Sequence, residues 1–152
     1  MENISGHLLF SVPTGLEEAF NRTFSDYLLI HPLVVLNQKI QNRVQRGGKI
    51  MVLYFEKSSF SLLLYIDNSL RLTNSYKFFH TNDVIFYVLS VIKQQGTGLK
   101  DVNLFLAGDI NYDDKPYKNL KKYFSETDFF VPDIDYDSQV FQKSLHGFVT
   151  LC

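Results

Sequence analysis

Two runs of acidic residues have spacings that could do chemistry. In Asp109-Ile-Asn111-Tyr-Asp113-Asp114, oxygen-bearing side chains alternate as at the opening of a calcium loop, where carboxylates and amides wrap a hard cation. The pattern then departs from such a loop. Asp114 stands where the turn needs glycine, and Leu120 stands where the bidentate glutamate belongs. A loop that caps the following helix is the expected role. Asp133, Asp135 and Asp137 also alternate, but their carboxylates would converge only in an extended segment, and such runs ordinarily mark a solvated crossing.

The histidines fall at 7, 31, 80 and 146, and no pair has the helical spacing of metal ligands. His31 and His80 each precede an expected helix start, which favours capping or surface roles. No G-x-S-x-G elbow, P-loop or dinucleotide fingerprint is present. Ser58-Ser59 lies in a strand-to-strand turn, so it is no nucleophile elbow. The single cysteine, Cys152, has no partner for a disulfide and no assignable activating base, which suits a reducing cytosol.

The elements that must position these residues centre on Lys49 to Gly108. Ile50 to Phe55 is apolar without a break, as in a strand buried on both faces. It follows Gly47-Gly48 and stops at the polar turn Glu56-Lys57-Ser58-Ser59. Phe60–Ile66 is strand-like, and Asp67-Asn68-Ser69 supplies turn chemistry. Leu70–Phe79 alternates in part, with Leu72, Tyr76 and Phe78 on the parity of Leu70. Two tight turns in succession make an antiparallel meander. Thr81, Asn82 and Asp83 are candidate caps for a helix at Asn82–Gln95, apolar nearly all round and expected to be heavily buried. A strand at Val102–Ala107 and a helix at about Pro116–Phe124 follow.

Upstream, Leu8–Val12 and Tyr27–Ile30 read as short strands. Thr14-Gly-Leu-Glu17 matches a capping box before a helix with Leu16, Ala19, Phe20, Thr23 and Phe24 on one face. His31-Pro32 opens a further helix with Leu33, Leu36, Ile40 and Val44 inward. Residues 8 to 46 thus read strand–helix–strand–helix, which favours parallel strands. A boundary falls at Gln45–Gly48. Downstream, Phe129–Val131 reads as a last strand, Pro132–Gln139 as a crossing and Val140–Leu151 as a closing helix.

With 15 basic and 16 acidic residues the net charge is −1, so there is no basic excess to bind nucleic acid. Arg43, Arg46 and Lys49 are interrupted by glycines and read as a solvated helix end. No segment is long and apolar enough to span a bilayer, and the N-terminus lacks a signal peptide's pattern. The expected location is cytoplasmic, with no membrane partner.

Meander, helix and strand together resemble the frame of ribonuclease H-like nucleases. Those need a carboxylate on the first strand to hold metal, and Lys49–Phe55 holds none. A closer resemblance rests on Val52-Leu-Tyr-Phe-Glu-Lys57, Leu64-Tyr-Ile-Asp-Asn-Ser-Leu-Arg-Leu-Thr-Asn-Ser-Tyr-Lys-Phe78, Asn82-Asp-Val-Ile-Phe-Tyr-Val-Leu89, Leu104-Phe-Leu-Ala-Gly-Asp109 and Leu120-Lys-Lys-Tyr123. These segments are spread over about half of the chain, from Val52 to Tyr123, and resemble the uncharacterised bacterial family called domain of unknown function 3822. The resemblance implies an actin-like ATPase fold, ribonuclease H-like in class. It is an α/β half with a mixed sheet and an antiparallel three-strand meander flanked by helices.

Actin-like proteins have two similar halves with a nucleotide between them. By that resemblance residues 47–152 look like the second half, and residues 1–46 look like the strand-helix-strand-helix remnant of the first. The first meander is missing, and the chain looks like a piece of a longer protein. A segment from another copy could take its place. Active members carry an acidic residue and glycines in the second-half turn, and paired glycines near the adenosine. Here the turn has no glycine, where side chains would crowd a phosphate, and only Gly108 matches at the later strand. The resemblance implies candidate nucleotide contacts, with ATP and magnesium as the ligand: Glu56 toward a metal-bound water, Ser58 and Ser59 toward phosphate, Gly108 toward adenosine, and Asp109 beside it at the strand end. The leading expectation is a non-enzymatic binding or scaffold domain with a degenerate nucleotide site and a protein partner or self-association through an exposed edge. The alternative is a nucleotide-binding ATPase or kinase-like protein completed by a segment outside this chain.

Overall fold

A computed structural model describes residues 10–27, 29–44 and 47–130. Two helices, α1 (Thr14–Thr23) and α2 (Pro32–Val44), precede the meander of β1 (Lys49–Phe55), β2 (Ser59–Ile66) and β3 (Ser69–Lys77). Helix α3 (Thr81–Gln94), strand β4 (Val102–Gly108), helix α4 (Lys115–Leu120) and strand β5 (Glu126–Phe129) complete it. The five strands form one mixed sheet in the order β3-β2-β1-β4-β5. β1 pairs antiparallel with β2 and parallel with β4, so it is the wall between the hairpin and the crossover.

The unbroken apolar run of β1 reflects burial on both faces. Met51, Leu53 and Phe55 face one core with Val84, Val88, Val91 and Ile92 of α3 and Tyr117 and Leu120 of α4. Ile50 and Val52 face a second core with Leu33, Leu36, Ile40 and Val44 of α2. The stripe expected on α2 is thus buried. At its start, His31 Nδ1 accepts a hydrogen bond from the Leu33 amide at 3.2 Å, the capping role expected of that residue. α3 begins one residue earlier than expected, at Thr81, with His80 as its cap position. The Asp83 carboxylate reaches back to the amides of Phe79 and His80, at 2.9 Å each. Phe86 departs from the expectation of all-round burial, since it lies on the outer side of α3 and is 66% exposed.

The turn between β2 and β3 has Asp67 at φ 49° and Asn68 at φ 65°, the left-handed pair of a tight hairpin turn. A register shift at Leu64/Tyr65 then leaves Arg71 without a counterpart. This bulge alters the expected parity. Leu70 opposes Tyr65 and packs on the α2 side, whereas Leu72 opposes Leu64 and packs on the α3 side.

The N-terminal expectations fare differently. Residues 10–12, 27, 29 and 30 form no strand, so the strands expected at Leu8–Val12 and Tyr27–Ile30 are corrected for the described residues, and with them the parallel pair. An apolar run makes a strand only where a neighbour takes its backbone bonds. The Phe10 ring instead lies 5.3 Å from His31. The capping box at Thr14 does not form. α1 starts one residue sooner, with Pro13 at the cap and its carbonyl accepting the Leu16 and Glu17 amides. No α1 residue is buried, so its apolar face points to no core. At the other end, α4 stops at Leu120, followed by a turn, and β5 lies at Glu126–Phe129, ahead of the Phe129–Val131 expected. Pro132–Gln139 with its aspartates, Val140–Leu151, Cys152, His7 and His146 lie outside the described residues.

Candidate functional site

The carboxyl ends of β1 and β4 meet at Phe55 and Gly108, paired across the parallel ladder. Ligands of open α/β sheets sit beyond such ends. Glu56 follows Phe55 and Asp109 follows Gly108, so two exposed carboxylates leave adjacent strands at one end of the sheet. The Asp109 amide donates to the Phe55 carbonyl at 2.9 Å and continues the ladder past Gly108.

Gly108 has a structural reason of its own. Its φ is +85°, and a Cβ there would lie 2.1 Å from the Phe55 carbonyl oxygen. The close approach of β4 to β1 therefore excludes any side chain at 108. The backbone of β1 takes the space opened by this glycine.

The β1–β2 turn is held from both sides. The Glu56 amide donates to the Ser59 carbonyl at 2.9 Å, and Ser59 Oγ donates to Glu56 Oε2 at 2.7 Å. The Ser58 carbonyl accepts the Phe78 amide at 3.0 Å, which ties the turn to the end of β3. Glu56, Lys57 and Ser58 are exposed and Ser59 is half-buried. The structure thus brings Glu56 and Ser59 into contact with each other and carries Ser58 in the same turn. Gly108 and Asp109 lie at the end of the neighbouring pair.

In the loop at 109–114, Asp113 and Asp114 bond their own chain. Asp114 Oδ2 accepts the Asn111 amide at 2.7 Å, and Asp113 Oδ1 accepts Lys118 Nζ at 3.3 Å. This is the loop arrangement expected from the missing calcium-loop residues; Asp114 stands at the cap position of α4, but its side chain makes no capping bond to the helix. Among the described residues no three histidine, cysteine, aspartate or glutamate side chains are grouped to hold a metal ion. One shifted titration lies near this end. The backbone donors at His80 and Phe79, with His80 nearby, hold the Asp83 carboxyl below its usual range.

Sequence reasoning missed one feature here. Tyr112 packs edge-on against Phe129 with ring centres 4.3 Å apart, Phe129 stacks on Tyr117, and Tyr112 remains 58% exposed. The signal was Tyr112 and Tyr117 on either side of the α4 start, with Phe129 as the first apolar residue of the last strand.

The model of a family described as a protein of unknown function, DUF3822, matches residues 1–127. The chain belongs to the DUF3822 family. A crystal structure from Bacteroides thetaiotaomicron VPI-5482, of a protein with an actin-like ATPase fold and unknown function, is similar to this DUF3822 chain. The TM-score is 0.67 at 20% identity, over 78% of this chain and 47% of that one. The likeness is one of fold, and the DUF3822 chain spans about half the length of that protein. No curated protein matches it. No helix among its described residues is long and apolar enough to cross a membrane.

Proposed function

We propose that this DUF3822 chain is a non-enzymatic binding or scaffold domain, an actin-like frame whose nucleotide site is degenerate. The observation that carries this reading is the β1–β2 turn. It is glycine-free, and its Ser59 hydroxyl is spent on Glu56 at 2.7 Å. A phosphate needs bare backbone amides close at hand, and four side chains crowd this turn instead. Gly108 does not compensate, because the Phe55 carbonyl lies where its side chain would be. These residues do not fit magnesium-ATP, and no chemical step is assigned to them. The partner is then another protein or a second copy, met through the surface of the frame. Residues 47–152 would be the second half of an actin-like unit, and 1–46 the remnant of the first, with α2 clamped to the second half's sheet.

A second reading has one observation in its favour. Glu56 and Asp109 leave a paired strand end together, as metal-positioning carboxylates do. The matched crystal structure extends well beyond the span of this chain, so a nucleotide site completed by a further segment is the alternative.

Calorimetric titration with magnesium-ATP, alongside a phosphate-release assay, separates the two. The scaffold reading expects no binding up to millimolar nucleotide and no turnover. Micromolar binding by this chain, or by a longer reading frame that contains it, would transfer the case to the second reading.

A further inference from the structure

Among the described residues the sheet ends at β3 and β5, and each of these edge strands turns an outward amide back onto its own chain. In β3 the Phe78 amide donates to the Ser58 carbonyl at 3.0 Å. Antiparallel alternation then directs the backbone groups of Leu72, Asn74 and Tyr76 toward β2, and those of Thr73, Ser75 and Lys77 away from the sheet. The middle outward amide, that of Ser75, donates to Asn74 Oδ1 at 2.9 Å. In β5 the Phe130 amide donates to the Leu106 carbonyl at 2.8 Å, so the Phe129 amide points away from β4. It donates to Asp128 Oδ1 at 2.8 Å. The two edges lie at opposite ends of the sheet and use the same device, an Asx side chain that accepts the next residue's amide. In β3 the bulge at Arg71 also breaks the straight run that a new strand would need.

We infer that this sheet is closed to strand addition at both edges, and that Asn74 and Asp128 are the residues that close it. An incoming strand docks by taking outward N–H groups as donors. Here one outward donor of each edge is already used, the middle one of β3 and the last one of β5, and the carboxamide or carboxylate occupies the place of the incoming carbonyl. A protein partner, a second copy included, then meets a helical or aromatic surface and does not extend the sheet. The closure stands without the scaffold reading; only the consequence for a partner rests on it.

The test uses the full chain. Asn74→Val and Asp128→Val remove the acceptors and keep strand propensity. Asn74→Asp and Asp128→Asn keep an acceptor oxygen and serve as controls. Sedimentation velocity over a wide concentration range is read together with far-ultraviolet dichroism and amide exchange at Ser75 and Phe129. The valine pair is expected to associate at about tenfold lower concentration than the wild type, with Ser75 and Phe129 amides gaining protection as it does. The controls should sediment as the wild type. Valine variants that keep the wild-type dichroism and sediment as the wild type overturn the inference. So does a wild-type chain whose Ser75 amide gains protection with concentration. If the pair loses its fold, Asn74→Val alone, at an exposed position, decides. Mass and exchange report on the edges whatever magnesium-ATP does.

Discussion

The Tyr65 hydroxyl donates to Asn37 Oδ1 at 2.6 Å and joins β2 to the middle of α2 through the second core. Burial pushes the phenol's titration well above its ordinary value. Tyr65→Phe removes the bond and should cost about 1 kcal/mol in urea unfolding. Because the folded group holds its proton longer than the unfolded one, its contribution is complete below the unfolded value of about 10 and is lost as pH rises above it. The stability difference between wild type and Tyr65→Phe should therefore shrink between neutral pH and strongly alkaline solution. A difference that stays constant would contradict this account.

Two glycines with positive φ make a controlled comparison. Gly96, at φ +60°, has nothing within 4 Å of a built Cβ, whereas Gly108 meets the Phe55 carbonyl. Gly96→Ala should lose about 1 kcal/mol from backbone strain alone. Gly108→Ala should lose at least about 3 kcal/mol, since strand separation is added to that strain. Equal losses in urea unfolding would mean that β1 and β4 part without cost. For the same reason, a lost ligand affinity in a Gly108 variant is evidence on binding only once folding has been checked.

Asp83→Asn should lower the thermal midpoint by weakening acceptance from the Phe79 and His80 amides. The carboxyl's titration is depressed in the folded chain, so its contribution is present above the unfolded value of about 4 and is lost as pH falls through and below it. Thermal unfolding at a series of pH values should show wild type and variant converging in acid. Parallel curves would assign the midpoint change to something other than the charge.

Thr127 Oγ1 is buried with no hydrogen-bond partner among the described residues, on the strand face beside Leu104 and the α4 core. Thr127→Val keeps the shape and removes the stranded oxygen. It should raise the urea midpoint by an amount corresponding to about 1 kcal/mol. A lower midpoint would mean that the hydroxyl is satisfied in solution.

Much of the sheet was legible because burial on both faces leaves an unmistakable run, as in Ile50 to Phe55. The stripe of α2 and the capping position of His31 were legible for a similar reason: one local pattern with one local cause. The strands expected at Leu8–Val12 and Tyr27–Ile30 had the right residues but no neighbour to pair with among the described elements, and pairing is not a local property. The parity of β3 was misread at Arg71 because a bulge adds a residue without changing the composition. At the candidate site the residue types were plain, yet what they bond was not. Ser59 turns to Glu56 within one tight turn, and Gly108 yields its space to Phe55, a neighbour from a strand distant in sequence.

The position of β1 also has a consequence during synthesis. β2 and β3 follow it directly and can close the meander as soon as they leave the ribosome. The strand that covers its other flank, β4, is made only after all of α3. In that interval the backbone groups of Met51, Leu53 and Phe55, which point away from β2, have no strand to pair with. Slowing translation through codons 78 to 102 is expected to lengthen that interval and to raise the aggregated share of the product.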